Sequence, residues 1–190
     1  MTFPTCGFEE TEVTFTRFTK ITDENIHEAV GEWCADKVSA AKEYGPIEQW
    51  DTSGVTCTKD LFINLSKFND NIGKWNMSNV TNMSGMFNHA TLFNRDIGSW
   101  DTSSVTNMGG IFSDASSFNQ DIRDWNVLNV KHFSYMFSGA EAFNRAMVSN
   151  NVAKPSESFG GKNSKEKKRN NRQETKSKKK QKNTENKKLK

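Results

Sequence analysis

The segment WNMSNVTNMSGMFNHATLFNRDIGS, residues 75–99, is the best guide to the architecture, because the chain repeats it. The following segment, WDTSSVTNMGGIFSDASSFNQDIRD at 100–124, is identical to it at 13 of 25 positions and needs no insertion or deletion. The same register extends in both directions over residues 47–150 and gives about four units of 25 residues. A fixed period without insertions predicts that each unit makes one turn of chain and stacks on its neighbour.

Large apolar residues recur at fixed places in these units and predict a continuous core. The clearest members of this core are Trp50, Trp75, Trp100, Trp125, Val80, Val105, Phe87, Phe112, Phe93 and Phe118. The second phenylalanine of every unit is followed by an asparagine, namely Asn69, Asn94, Asn119 and Asn144. We expect these four side chains to form a ladder of hydrogen bonds to the backbone of adjacent units; simple solvation of the amides is the alternative.

Local spacing within one unit predicts a strand followed by a helix. Residues 97–103 are typical of a turn that leads into a brief strand. From Val105 onward, apolar residues stand three or four positions apart, at Met108, Phe112 and Ala115, as they do on one face of a helix. The sequence therefore predicts an α/β fold, with a narrow parallel sheet on one side of the stack and helices on the other.

Three segments carry a family resemblance: residues 75–87, FNRDIGSWDTS at 93–103 and FNQDIRDW at 118–125. They resemble the BspA-like leucine-rich-repeat surface proteins, whose repeat is also found in mycoplasma surface lipoproteins, and the likeness covers roughly residues 47–148. The resemblance implies a leucine-rich-repeat-like solenoid of about four 25-residue coils, with a role in adhesion or protein binding rather than catalysis. It also implies a surface or secreted location, whereas the first ten residues lack the basic and apolar parts of a signal peptide.

Composition divides the rest of the chain into three parts. Residues 1–21 form an N-terminal extension, residues 22–46 a helical cap and residues 151–190 a Lys-rich tail. In the cap, Thr22 or Asp23 is expected to cap a single helix, which ends at Gly45 and Pro46. The apolar face of that helix would consist of Ile26, Val30, Trp33, Val38 and Ala41.

The tail separates the charge of the chain into two regions. It carries 15 Lys and Arg residues against 4 Asp and Glu, a net charge of 15 − 4 = +11, whereas residues 1–150 carry 11 against 19, a net charge of −8. With so few apolar residues, the tail is predicted to be disordered. Its basic clusters include Lys167, Lys168, Arg169, Lys178, Lys179 and Lys180. Three roles are open for them: nuclear localisation, nonspecific binding of nucleic acid or an acidic partner, and solubility alone.

Motifs of catalysis and of cofactor binding are missing. The sequence contains no GxSxG, no P-loop and no GxGxxG, and its three histidines and three cysteines lack metal-ligand spacing. Asp51 and Asp101 share one repeat position with Asn76 and Asn126, which favours turn capping over calcium binding. We therefore expect no catalytic residue, no metal and no cofactor.

The sequence favours a binding module whose ligand is a protein or a glycan. The candidate binding face lies next to the tryptophan column and consists of Thr52, Met77, Thr102 and Val127. The alternative is a nuclear or nucleic-acid-associated protein that is directed by its basic tail. No run approaches the ~18 apolar residues of a membrane helix, so no transmembrane segment is expected.

Overall fold

The computed structural model of the protein describes residues 18–144. Within them, the regular elements are helix α1 at Ile26–Ala35, helix α2 at Lys37–Tyr44 and a short 3-10 helix at Ile47–Gln49. The same residues contain no β-strand, and the four units consist of turns and irregular backbone. The predicted α/β fold, a leucine-rich-repeat-like solenoid with a strand and a helix in each coil, is therefore wrong. Most of the N-terminal extension and the whole Lys-rich tail lie outside the described residues.

Hydrogen bonding explains why apolar residues at helical spacing do not form a helix here. The N–H groups of Met83, Gly85 and Phe87 donate to carbonyls 24 residues further along the chain, each at 2.9 Å. The residues that alternate with them, Met86 and Asn88, instead donate to the carbonyl three residues earlier. An α-helix needs successive N–H groups to bond four residues back, so this alternation excludes it. The left-handed backbone of Gly85, with a φ of 63°, interrupts helical geometry as well.

Residues 97–103 form turns instead of the expected strand. The N–H of Trp100 donates to the carbonyl of Ile97 at 3.2 Å, and the N–H of Ser103 donates to Oδ1 of Asp101 at 2.9 Å. Adjacent units are joined in register by isolated parallel bridges, which link Cys57, Asn82, Asn107 and His132 in that order. A single bridge between two units does not make a sheet, so the units are held together by the alternating backbone bonds between them, by their turns and by their shared core.

Aromatic rings stack in columns through the centre of the four units. Ring centroids 5.3 to 5.6 Å apart form the first column, Phe62, Phe87, Phe112 and Phe137. Centroids 5.6 to 6.1 Å apart form the second, Phe68, Phe93, Phe118 and Phe143. Within each unit the two rings stack at 3.8 to 4.0 Å. The structure buries all ten core residues named from the sequence, so the core runs without a break along the units.

Each tryptophan of the repeat also bonds to the chain before its own unit. The indole Nε1 of Trp75 donates to the carbonyl of Ile47 at 2.8 Å. Trp100 and Trp125 repeat this bond at 3.2 and 3.0 Å, in each case with the carbonyl 28 residues earlier. The bond gives a buried indole N–H its partner and fixes the register between neighbouring units.

The N-terminal cap consists of two helices rather than the single helix expected. Asp36 separates them, because its backbone is extended, with a φ of −148°. Its carboxylate accepts from the N–H groups of Val38 at 3.0 Å and Ser39 at 3.3 Å, and so caps α2. Val38, an expected member of the apolar face, is exposed as a result.

The cap packs against the first unit through Trp33. Its ring meets that of Trp50 edge-on at 6.0 Å, and its Nε1 donates to Oδ2 of Asp70 at 3.0 Å. The residue before α1 is Asn25, whose side chain makes no capping bond to the helix. The prediction that Asp23 caps α1 is therefore wrong, because Asp23 binds the first unit instead. The hydroxyl of Thr22 accepts from the N–H of Glu24 at 3.3 Å, in the turn that leads into α1.

Candidate functional site

The binding face expected next to the tryptophan column does not exist, because its side chains are buried. Thr52, Met77 and Thr102 are each 1% exposed, and Val127 is 5% exposed. The hydroxyl of Thr52 donates to a carbonyl of the second unit at 3.0 Å, and that of Thr102 does the same in the fourth. Met77 and Val127 occupy the same repeat position with apolar side chains. These residues hold units together and cannot reach a ligand.

The repeated asparagines form one column along the stack. Oδ1 of Asn69 accepts from the N–H of Asn94 at 3.0 Å, and Oδ1 of Asn94 accepts from the N–H of Asn119 at 2.9 Å. Asn119 accepts in the same way from Asn144, also at 2.9 Å. The amides of Asn69, Asn94 and Asn119 therefore each supply an acceptor to the backbone of the following unit, which is a structural role.

A second set of polar residues caps a turn that is the same in every unit. We call residues 51–53, 76–78, 101–103 and 126–128 the constant turns. In each of them, Oδ1 of the first residue accepts from the N–H two residues later, at 2.9 to 3.1 Å. The first residues are Asp51, Asn76, Asp101 and Asn126. Carboxylate and amide alternate here because both supply the one acceptor that the turn needs.

These carboxylates serve the turns electrostatically as well. Hydrogen bonds from Ser53, its side chain first and its N–H second, lower the pKa of Asp51. The same two bonds from Ser103 lower the pKa of Asp101. Within residues 18–144, no three His, Cys, Asp or Glu side chains are grouped so that they could hold a metal ion.

Another turn differs in side chain from unit to unit while its backbone stays the same. We call residues 63–67, 88–92, 113–117 and 138–142 the variable turns. Their second residue is left-handed in every unit, with φ between 56° and 71°, and is exposed in every unit: Asn64, His89, Asp114 and Gly139. Their fifth residue changes from Lys67 to Leu92, Ser117 and Ala142. The sequence does indicate these turns, because the four units differ most from one another at the second and fifth positions of the variable turn.

Backbone bonds hold the variable turns independently of these side chains. The N–H of Asn64 and that of His89 donate to the next unit at 2.8 Å. The His89 side chain contacts two polar neighbours: its Nδ1 is 2.6 Å from Oδ1 of Asn88 and 3.5 Å from Oδ2 of Asp114. Leu92 is 53% exposed, which makes it a large apolar side chain on this side of the stack. The variable turns thus offer different chemistry on one rigid frame.

An open groove of about 370 Å³ adjoins the first variable turn. Its walls are Cys34, Lys37, Asn64, Leu65, Ser66, Lys67, Phe68 and Asp70. Asp70 is already engaged, because Nζ of Lys37 lies 2.7 Å from its Oδ1. Burial, followed by the charge of Asp70, raises the pKa of the Cys34 thiol, although Lys37 opposes the shift. A thiol with a raised pKa is protonated at neutral pH and is a poor nucleophile.

One comparison with known proteins identifies a family over the repeat region. A family model described as "Mycoplasma protein of unknown function, DUF285" matches residues 32–151, which include the end of α1 and all four units. No curated protein and no solved structure matches the chain. Among residues 18–144, no helix has the length and apolar character needed to cross a membrane. Since the family model covers more than half of the 190 residues, the chain belongs to the DUF285 family.

Proposed function

We propose that this protein is a non-catalytic scaffold, related to the BspA-like repeat surface proteins, that binds a protein partner through its variable turns. The observation that carries the proposal is the contrast between a uniform interior and a changing exterior. Stacked phenylalanines and backbone bonds repeat from unit to unit, whereas the exposed position of the variable turn carries an amide, an imidazole, a carboxylate or no side chain.

Such an arrangement suits binding because the two tasks are separate. In a stack of repeats, stability comes from the contacts between neighbouring units. The variable turns are fixed by backbone bonds such as that from Asn64 to the carbonyl of Asn88, so their side chains are free to serve recognition. The exposed Leu92 and the charged Asp114 would supply an apolar and a polar contact to one partner.

A protein is favoured over a glycan because the variable turns expose no phenylalanine, tyrosine or tryptophan. Small-molecule sites are lined mainly by apolar and aromatic side chains. Among residues 18–144, the exposed side chains of these three types are Phe18 and Tyr135, and neither belongs to a variable turn.

Exchange of residues between units tests the proposal without disturbing the fold. Leu92→Ser introduces the residue of the third unit, and Asp114→Asn introduces that of the first. Binding of the full chain to purified fibronectin, laminin and collagen would be measured by biolayer interferometry, with a glycan array in parallel. We expect saturable binding to one of the proteins and a loss of about tenfold or more in affinity for the double variant, as for a contact of over ~1.4 kcal/mol.

Asp101→Asn is the matched control, because asparagine occupies that position in the second and fourth units. It lies in a constant turn and should leave both affinity and melting temperature unchanged. Binding to glycans alone, or an equal loss in the control, would contradict the proposal.

The charge of the tail supports a second candidate, a nucleic-acid-associated function. Residues 151–190 carry 15 basic against 4 acidic residues, which suits nonspecific binding to phosphates. Replacing Lys167, Lys168, Arg169, Lys178, Lys179 and Lys180 by glutamine in the full chain should weaken binding to random duplex DNA and flatten its salt dependence. Binding that is absent, or unchanged by these substitutions, would remove this candidate.

A further inference from the structure

One line of backbone bonds runs along the whole stack and needs an acceptor from the preceding unit at every step. The N–H of Thr81 donates to the carbonyl of Thr56, and the N–H of Thr106 donates to that of Thr81, both at 2.8 Å. The threonine hydroxyls reinforce these bonds, since Oγ1 of Thr81 and Oγ1 of Thr106 donate to the same carbonyls at 3.3 and 3.1 Å. The second and third units thus each present one N–H and one O–H to the carbonyl before them, and the fourth presents the N–H of Lys131.

The first unit has no preceding unit, and a carboxylate replaces the missing carbonyl. Oδ1 of Asp23 accepts from the N–H of Thr56 at 2.8 Å and from the N–H of Cys57 at 3.1 Å. Oδ2 of Asp23 accepts from Oγ1 of Thr56 at 2.6 Å. The carboxylate therefore reproduces both bonds of the ladder and adds a third.

We propose that residues 22–25 are a latch, which Asp23 closes by taking the place of a preceding unit and which opens when the Asp23 carboxylate is protonated. Buried Ile21 and Ile26 anchor the chain on either side of the latch, so its opening is local. The open state exposes the N–H groups of Thr56 and Cys57, which form the edge of the stack. This inference is independent of the proposed function.

The chemistry of the carboxylate gives the direction of the switch. An ionised carboxylate only accepts hydrogen bonds, whereas a protonated one carries a donor that would face three donors here. Burial alone would raise the pKa of Asp23, but the bonds from the Thr56 side chain, the Thr56 N–H and the Cys57 N–H lower it by more. The latch is therefore closed at neutral pH and opens as the pH falls through that lowered value.

Few other charges act on the latch. Glu24, next in the chain, interacts unfavourably with Asp23. Lys20, before the latch, interacts with Asp51 of the first unit. Among residues 18–144, no cation forms an ion pair with Asp23, so its three donors hold the negative charge in place.

Amide hydrogen exchange, measured by NMR on the full chain from pH 7 down to about pH 2, tests the latch. Thr81 is the internal control, because its N–H donates to a carbonyl that does not titrate. We expect the protection of Thr56 and Cys57, relative to that of Thr81, to fall roughly tenfold as the pH is lowered, as for the loss of one hydrogen bond. The fall should coincide with the titration of the Asp23 carboxyl carbon in the same protein.

Two variants complete the experiment. Asp23→Asn cannot titrate and should make the relative protection of Thr56 independent of pH. Asp51→Asn removes a neighbouring carboxylate of the first unit and should keep the wild-type pH dependence. A wild-type ratio that stays constant, or that falls at a pH unrelated to the Asp23 carboxyl titration, would overturn the proposal; that measurement requires no variant to fold.

Discussion

The cap and the repeat units use backbone hydrogen bonds in opposite ways. In α1 and α2 the bonds are local, and one residue, Asp36, is enough to separate the two helices. In the units, alternate N–H groups such as those of Met83 and Gly85 bond 24 residues away. The backbone bonds of the cap are therefore satisfied within its own segment, whereas many of those of a unit need another unit beside it.

This difference shows where the stability of each region comes from. A unit makes many of its backbone bonds to its neighbours and buries its aromatic rings between them, so the loss of one unit removes contacts from the units on both sides. The cap contributes helices of ten and eight residues, which are too short to be stable alone in water. It depends on the first unit through Trp33, which contacts Trp50 and Asp70.

The largest effect is expected from Phe112→Ala. Phe112 is fully buried, and its ring stacks on those of Phe87, Phe118 and Phe137. Removing it should lower the free energy of unfolding by about 3–5 kcal/mol. Circular dichroism, which reports the cap helices, and tryptophan fluorescence, which reports mainly the units, should show one coincident transition. Leu92→Ala, at an exposed site, is the control, with a change within about 0.5 kcal/mol. If the cap helices stay folded after the units have unfolded, the cap does not depend on the first unit.

The same substitution should have opposite signs in the two regions. Gly31 lies in α1 with nothing near the place of a Cβ, so Gly31→Ala should stabilise the protein by about 0.5–1 kcal/mol. At Gly98 a Cβ would lie 2.5 Å from the carbonyl oxygen of Asp121 in the next unit, so Gly98→Ala should destabilise it by about 1–3 kcal/mol. Urea denaturation measures both. Equal signs would mean that the units are packed less tightly than the structure indicates.

The sequence was a good guide to the positions of residues and a poor guide to their conformation. The period of 25 placed Phe87 and Phe112 in one buried column, because residues at equal repeat positions must meet when units stack in register. The spacing of Val105, Met108 and Phe112 indicated a helix, yet bonds between residues three apart in successive turns produce the same spacing. The spacing of apolar residues within one unit does not show whether an N–H group donates to a carbonyl of the same unit or to one of the next unit.

The expected binding face failed for a related reason. Thr52 and Met77 differ in polarity, and such variation next to the tryptophan column predicts a binding face only if that side of the stack is exposed. A buried position also tolerates such a change when the hydroxyl finds a carbonyl, as Thr52 does with Asn76. The latch residue Asp23 had no counterpart in the repeat alignment, so nothing in the period could indicate its contact with Thr56.

A smaller effect is expected from the asparagine column. Oδ1 of Asn94 accepts from the N–H of Asn119 and from Nε2 of Gln120, and Asn94→Ala removes both bonds. The free energy of unfolding should fall by about 0.5–1.5 kcal/mol, and the melting temperature should fall with it. Gln49→Ala deletes an exposed amide at the junction with the cap and should change nothing measurable. If Asn94→Ala leaves the melting temperature at its wild-type value, the amides of this column are simply solvated and their bonds to the next unit do not stabilise the fold.

The smallest effect concerns acid, and it compares carboxylates of the two regions. Hydrogen bonds lower the pKa of Asp51 and Asp101 in the constant turns, and bonds from Ser39 lower that of Asp36 in the cap. A lowered pKa contributes stability that is present above the unfolded value of about 3.9 and is lost as the pH falls through the folded value.

Asparagine preserves each turn, as Asn76 shows. The double variant Asp51→Asn/Asp101→Asn should therefore match the wild type at pH 7 and lose less melting temperature on transfer to pH 3. Asp36→Asn should show the same protection, because an asparagine also caps a helix. Protection by the cap substitution alone would show that the acid sensitivity resides in the helices, and that the turns of the repeat accept a protonated carboxyl as readily as an ionised one.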